Sequence, residues 1–136
     1  MLIPHQGTMC LLDEVVAWDE DRIHMSTMSH RRTDNPLLAD GRLRAVHLCE
    51  YGAQAMAVHG GLVARAHGGK AEPGFLVSLR AVRLNVERVD DIADALDVLA
   101  ERLIGGEGSW QYQFTVKTSA GVLAEGRVAV MRAAFA

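Results

Sequence analysis

The stretch RAVHLCEYGAQAMAVHGG, residues 44–61, decides the architecture of this chain. It consists mostly of Ala, Val, Leu, Met and Cys, it shows no strand-like alternation, and its small and unbranched residues favour a helix. Because the segment is apolar nearly all round, the predicted helix must be buried on most of its faces. It is expected to continue until Gly68 and Gly69 end it. The remaining elements must therefore cover this helix.

Strand patterns lie on both sides of the predicted helix. Residues 9–19 and 22–29 suggest a hairpin, and residues 30–42 carry the Asn-Pro and Asp-Gly signals of a loop. Four further strands are predicted after the helix, at residues 74–89, 94–104, 109–118 and 121–132. The second of these is ambiguous, since its Ala and Leu residues also suit a helix. The economical arrangement is an α+β fold in which one antiparallel sheet of about six strands wraps the helix.

Length and composition limit the function classes. The chain of 136 residues is expected to form one domain, residues 1–136, and its formal net charge of −3 gives no reason to expect nucleic acid or an anionic membrane as partner. Two cysteines in apolar runs do not suggest a disulfide framework. The N-terminus does not resemble a targeting signal, and no apolar run reaches the roughly 18 residues of a membrane span. A cytoplasmic protein is therefore expected.

Three polar residues interrupt the apolar helix at a spacing that places them on one side of it. His47, Glu50 and Gln54 lie at i, i+3 and i+7, so they project from one side near the helix start. A carboxylate there is stabilised by the positive end of the helix dipole. The backbone N–H groups of Ala45 and Val46 are available there to polarise a carbonyl oxygen. The pattern predicts Glu50 as an acid or base and the neighbouring groups as ligand contacts.

Structural explanations of the same residues remain open at this point. Glu50 can reach solvent or pair with an arginine such as Arg80 or Arg83, because structural ion pairs also place carboxylates on apolar helices. His47 can equally be a core or interface histidine. Gln54 can cap the end of a strand.

Metal and cofactor chemistry find little support in the sequence. His47 and Glu50 form at most half of a metal site, and no second pair of ligands has suitable spacing, so no metal is expected. The glycine pairs fit turns better than a phosphate-binding loop, so no cofactor is expected either. Cys49 points away from the polar stripe and is interpreted as a small buried hydrophobe.

Several segments resemble the hotdog-fold 3-hydroxyacyl-acyl-carrier-protein dehydratases, over nearly the whole chain. LIPHQGTMCLLDEVV, residues 2–16, resembles their opening segment, and HLCEYGAQAMA, residues 47–57, resembles their helix, in which an acidic residue is followed four positions later by Gln. The loop NPLLADGRLRAV, residues 35–46, is similar to that of the dehydratase-like proteins of aryl-polyene clusters. The predicted strands are compatible with this family.

The resemblance implies a hotdog fold with active sites at a dimer interface. There, a His from the loop of one subunit and a Glu or Asp from the helix of the other remove water from a 3-hydroxyacyl thioester of acyl carrier protein or CoA. Glu50 matches the catalytic acid and Gln54 its hydrogen-bonding companion. The backbone at Ala45 and Val46 matches the donors to the thioester carbonyl.

One departure from the family concerns the base. The position of the family's loop His falls near Asn35 and Pro36, where this chain has no His. Either His47 replaces it, or the chain contributes Glu50 to a heterodimer with a His-bearing dehydratase subunit, which we favour. The alternatives are a hotdog thioesterase, whose helix carboxylate activates water, and a non-catalytic acyl- or carrier-binding subunit. Homodimer, heterodimer and tetramer all remain open.

Overall fold

The structure is a computed structural model that describes residues 10–69, 74–106 and 109–132. Two strands precede the only α-helix of these residues, and four strands follow it. In chain order the elements are β1 (Glu14–Trp18), β2 (Arg22–Thr27), α1 (Leu48–Ala66), β3 (Gly74–Leu84), β4 (Leu96–Gly106), β5 (Ser109–Thr118) and β6 (Gly121–Arg132). The predicted order of two strands, one helix and four strands is confirmed.

The six strands form one sheet in the order β1-β2-β4-β5-β6-β3, and every neighbouring pair is antiparallel. The helix packs across β2, β4, β5 and β6. The ambiguous segment before β5 is a strand, because Leu96, Val98 and Ala100 are buried while alternate residues turn outward. The predicted α+β fold, one long helix wrapped by an antiparallel sheet, is confirmed.

The core between helix and sheet is built on β5, whose residues Tyr112, Phe114 and Val116 are buried. The Phe114 ring lies between a helical glycine and a glycine of β6. A Cβ added at Gly52 would lie 2.4 Å from Phe114 Cγ, and one at Gly126 would lie 2.8 Å from Phe114 Cε2. Both glycines are therefore required by close approach, and the one at position 52 lets the helix approach β5 closely two residues after Glu50.

The helix itself begins later than predicted. Residues Ala45–His47 form a 3-10 turn, and the α-helix starts at Leu48. It ends at Ala66, and Gly68 follows in the left-handed conformation with φ +77°, as expected of a helix-terminating glycine. Among the described residues, neither this helix nor any other has the length and apolar character needed to cross a bilayer.

Three predicted strands are shorter in the structure, and the one predicted over residues 22–29 ends at Thr27. The first begins at Glu14, because the Leu11 N–H donates to the Gln54 side chain of the helix and not to a backbone carbonyl of β2, and its predicted start at Met9 lies outside the described residues. The strand predicted over residues 74–89 ends at Leu84. Residues 87–89 instead pair with the chain that enters the helix, through an isolated bridge between Arg44 and Arg88. This pairing fixes the start of α1.

Candidate active site

The chain is held firmly where it enters α1. The Ala45 N–H donates to Glu87 O at 2.9 Å, and the Leu43 N–H donates to Asp90 Oδ1 at 2.8 Å. Arg88 donates to both carboxylate oxygens of Asp90, through Nε at 3.0 Å and through Nη2. These hydrogen bonds from Arg88 hold the pKa of Asp90 well below its usual range. The first turn of the helix therefore has a fixed position.

Glu50 lies in that first turn and is half-buried. Gln54, one turn later, donates from Nε2 to Glu50 Oε1 at 3.2 Å. The other end of the carboxamide, Oε1, accepts from the Leu11 N–H at 3.0 Å. Gln54 is 1% exposed, so its orientation is set by the protein. With its oxygen bound by an N–H, the amide must present its NH₂ to the carboxylate.

The segment that orients Gln54 is itself anchored on β2. The Thr27 hydroxyl donates to Leu11 O, and the Met28 N–H donates to Asp13 Oδ2 at 2.7 Å. Leu11 is fully buried in the core. A continuous set of hydrogen bonds thus runs from β2 through Leu11 and Gln54 to the Glu50 carboxylate.

Asn35, near which the resemblance to the dehydratases places their loop His, is a structural residue. Asn35 is 4% exposed and donates from Nδ2 to Ser29 O at 2.9 Å and to Tyr51 Oη at 3.1 Å. Its Oδ1 accepts from the Leu37 N–H at 2.9 Å. Burial raises the pKa of the Tyr51 hydroxyl, which also accepts from Ser29 Oγ. A carboxamide does not titrate and this one is bound at both ends, so the loop provides no base at Asn35.

His30, the first residue of the loop over residues 30–42, is a buried histidine that contacts another segment of the chain. Its side chain is fully buried, and Nε2 lies 2.9 Å from Ile92 O, to which it must donate. Burial lowers its pKa. The ring is therefore a neutral group that ties the loop to residue 92.

His47 is the last residue of the 3-10 turn before α1 and is half-buried. Within the part of the chain that the structure describes, it forms neither a hydrogen bond nor an ion pair with Glu50. The structure thus joins Glu50 to Gln54 and leaves His47 unconnected to them, so its role as substitute base stays a prediction.

Of the two backbone N–H groups predicted to bind the thioester carbonyl, one is already hydrogen-bonded within the chain. The Ala45 N–H is already bonded to Glu87 O, and Ala45 is buried. Val46 is 52% exposed, and its N–H donates to no carbonyl of residues 10–69, 74–106 or 109–132. Of the predicted pair, only Val46 has an amide that remains for a ligand.

The middle of the helix carries a polar network that the sequence did not reveal. His59 is fully buried, with Nδ1 2.6 Å from Tyr112 Oη and Nε2 2.8 Å from Asp19 O. Because a carbonyl can only accept, Nε2 carries the proton and Nδ1 accepts from the tyrosine hydroxyl. Burial lowers the pKa of His59 and raises that of Tyr112 to about 12. This network is structural.

The remaining sequence candidates behave as inert groups. Cys49 is half-buried, packs against the core, and has its thiol pKa raised by burial, so it is not an activated nucleophile. Among the described residues, no group of three or more His, Cys, Asp or Glu is arranged to hold a metal ion.

A single long helix packed on a curved six-stranded antiparallel sheet, with a polar site at the helix start, defines a hotdog-fold protein of the dehydratase and thioesterase superfamily. The chain belongs to the ApeP-like family, whose model, described as ApeP dehydratase, matches residues 1–135. It is also similar to a chain of the dehydratase heterocomplex ApeI:P from Xenorhabdus doucetiae. The two are 25% identical with a TM-score of 0.86, and the match covers 98% of this chain and 89% of that chain. The resemblance to the dehydratases is confirmed.

More distant structures share the fold. A hypothetical thioesterase with coenzyme A from Streptococcus pneumoniae TIGR4 is 10% identical, with a TM-score of 0.64 over 88% of this chain and 84% of that chain. A putative esterase from Mycobacterium tuberculosis is 13% identical, with a TM-score of 0.66 over 94% of each chain. Comparison with curated proteins gives no match.

Proposed function

We propose that this chain is one subunit of a 3-hydroxyacyl thioester dehydratase and that Glu50 is its catalytic acid. The observation that carries the proposal is the hydrogen bond from the buried Gln54 carboxamide to the Glu50 carboxylate in the first helical turn. A side chain held by a second, fully buried side chain is pre-organised for one task. Membership of the ApeP-like dehydratase family supports that task being water elimination.

The proposed reaction is an elimination from the acyl group. A base removes the proton from C2, the C3–O bond breaks, and Glu50 gives its proton to the departing hydroxyl, so that water leaves and a C2=C3 double bond forms. The Val46 N–H stabilises the negative charge that develops on the thioester carbonyl oxygen. The substrate is an acyl thioester of carrier protein or CoA, in cytoplasmic fatty-acid or polyene-type biosynthesis.

The base comes from a second subunit under this proposal. Asn35 lies near the position that the resemblance gives to the family's loop His and is bound at both ends, and His47 has no hydrogen bond to Glu50 among the described residues. The similar chain of known structure is part of a dehydratase heterocomplex, which favours a heterodimer over a homodimer.

The test uses three samples: the chain alone, a His-bearing hotdog dehydratase subunit from the same organism alone, and the mixture. Each is assayed for dehydration of a 3-hydroxyacyl carrier protein and for hydrolysis of an acyl thioester. We expect dehydration by the mixture only, and its loss when Glu50→Gln is used. The matched control is Glu14→Gln on the exposed strand β1, which should leave the rate unchanged.

Other outcomes would select a different function. Hydrolysis by this chain alone would identify a thioesterase. Full dehydration by the mixture with Glu50→Gln would leave the chain as a non-catalytic acyl- or carrier-binding subunit.

A further inference from the structure

The first two turns of α1 are tied to other segments by a closed ring of hydrogen bonds. In one branch of this ring, the Leu11 N–H donates to Gln54 Oε1 at 3.0 Å, and Leu11 O accepts from the Thr27 hydroxyl. In the other branch, Tyr51 Oη accepts from Ser29 Oγ at 2.8 Å, and the Ser29 N–H donates to Thr27 Oγ1 at 3.0 Å. Both branches begin on the helix, and they meet at Thr27.

The ring is enclosed by the fold. Leu11, Ser29 and Tyr51 are 0% exposed, and Thr27 and Gln54 are 1% exposed. A buried group that loses its hydrogen-bond partner pays the full cost of its desolvation, because water cannot take the partner's place. Each hydrogen bond of the ring is therefore needed to keep the ring closed.

The hydroxyl of Thr27 serves both branches at the same time. A hydroxyl has one proton to donate and two lone pairs that accept. Its oxygen lies 2.5 Å from Leu11 O and 3.1 Å from Asp13 Oδ2, so the shorter distance assigns the proton to Leu11. The Ser29 N–H then occupies a lone pair of the same oxygen. A valine has the same shape as this threonine but can make neither bond.

The ring determines where the Glu50 carboxylate lies. Tyr51 and Gln54 are three residues apart, so they are neighbours on the surface of the helix. Anchoring both fixes the rotation of this part of the helix about its axis as well as its position along the axis. Glu50 directly precedes the first anchor, and its Oε1 accepts from Nε2 of the second at 3.2 Å. Both the backbone and the carboxylate of Glu50 are thus held by the ring.

We propose that Thr27 is a positioning residue of the dehydration reaction, and that its hydroxyl closes the ring that holds the Glu50 carboxylate in place. Because Thr27 is buried, it acts through Leu11 and Gln54 and without touching the substrate. That the ring serves a reaction at Glu50 rests on the proposed function, whereas the ring itself does not.

The first test measures the kinetics of the mixture with the His-bearing subunit. Thr27→Val should lower kcat by about 10–10²-fold, because a small displacement of an acid weakens proton transfer. The KM should stay within about twofold, since contacts with the bound acyl group are unchanged. Thr27→Ser keeps the hydroxyl and loses a methyl group, so its kcat should lie within about twofold of the wild type. A kcat as low as that of Thr27→Val would overturn the proposal.

Thr118 offers a matched control. It is 6% exposed, and its hydroxyl accepts from the Ala120 N–H at 3.1 Å in the turn between β5 and β6. Thr118→Val therefore removes a buried threonine hydroxyl outside the ring. It should lower the thermal unfolding midpoint and leave kcat within about twofold of the wild type. An equal fall in kcat for both valine variants would mean that lost stability explains the effect, and Thr27 would have no positioning role.

Tyr51→Phe opens the ring in its other branch and carries the test if Thr27→Val folds poorly. We expect its kcat to fall by at least about fivefold. The double variant Thr27→Val/Tyr51→Phe should stay within about twofold of Thr27→Val, because a ring that is already open loses little at a second break. An unchanged kcat of Tyr51→Phe, or losses that multiply in the double variant, would refute the ring as the cause.

Hydrogen exchange measures the ring independently of the reaction. By NMR, the Leu11 amide should exchange at least about tenfold faster in Thr27→Val than in the wild type or in Thr118→Val. Unchanged exchange would overturn the ring even if the mixture dehydrates. If Glu50→Gln leaves dehydration intact, the proposed function and the positioning role are both wrong, while faster exchange of Leu11 still supports the ring.

Discussion

The first turn and the middle of α1 each carry polar side chains, and the two regions differ in how far those side chains are buried. Near the middle, His59 is fully buried and both ring nitrogens are bonded within the chain. In the first turn, Glu50 is half-buried and accepts a hydrogen bond from Gln54. The difference is therefore one of access: the imidazole is fully enclosed by the fold, whereas the carboxylate is oriented by the fold and remains partly exposed.

The largest effect that this comparison predicts is on catalysis. Glu50→Gln keeps the shape of the side chain but leaves a carboxamide that cannot donate a proton as a general acid. The kcat of the complex with the His-bearing subunit should therefore fall by about 10²–10⁴-fold. The thermal unfolding midpoint should change little. Steady-state dehydration assays and thermal scans of the same samples check both. A stability loss that accompanies the loss of rate would make Glu50 structural, like His59.

The next prediction compares two glycines of the helix. Gly52→Ala would place a Cβ 2.4 Å from Phe114 Cγ, and we expect the free energy of unfolding to fall by about 1–3 kcal/mol. Gly60 has nothing within 4 Å of its added Cβ, so Gly60→Ala should instead stabilise the helix by about 0.5–1 kcal/mol. Denaturant unfolding measures both, and equal effects would contradict the close approach at position 52.

A third prediction concerns the buried hydrogen bond between Tyr112 and His59. Tyr112→Phe removes the hydroxyl that donates to His59 Nδ1 and leaves a buried acceptor unpaired, at a cost of about 1 kcal/mol or somewhat more. The kcat of the subunit pair should be unchanged, because this network lies more than two helical turns from Glu50 along α1. Urea titration together with the dehydration assay tests this. A fall in kcat without a fall in stability would mean that the network serves the active site.

The buried histidines also predict a pH dependence of stability. Burial lowers the pKa of His30 and His59 in the folded state, so the native protein binds fewer protons than the unfolded chain. Their contribution is fully present above the ordinary value of 6.5 and is lost as pH falls below it. The slope is at most about 1.4 kcal/mol per pH unit for each histidine. Unfolding measured between pH 7.5 and pH 5 should show this loss, and His59→Gln should reduce the slope.

The smallest effect on kcat is expected for substitution of His47, which the structure does not join to Glu50. If the base comes from the partner, His47→Gln should change the kcat of the complex by less than about twofold and should not alter its pH profile. A loss comparable to that of Glu50→Gln would restore His47 as the base and would remove the need for a His-bearing partner.

The fold could be predicted because its signals are periodic. The helix is apolar all round, the strands alternate, and Phe114 with its neighbours lies on the face that those periods assign to the core. Glu50 and Gln54 were recognised because a spacing of four residues on a helix brings two side chains together. Each of these inferences uses only the spacing of residues within a single helix or strand.

The missed features all depend on pairs that are distant in sequence. The partner of Gln54 is Leu11, 43 residues away, and residues 87–89 leave the predicted strand to pair with the helix entrance. The same applies to His59 with Asp19 and to Ala45 with Glu87. A hydrogen bond between distant segments has no sequence period, so its partners emerge only when the chain is folded.

The contact of Gly52 with Phe114 has a consequence for substrate selection. The ring leaves no room for an added Cβ between the helix and β5 two residues after the proposed acid. Under the proposed function, an acyl tail that reaches Glu50 would therefore have to avoid the space between Gly52 and Phe114. If the partner subunit supplies that room instead, exchanging the partner while keeping this chain should shift the preferred substrate length.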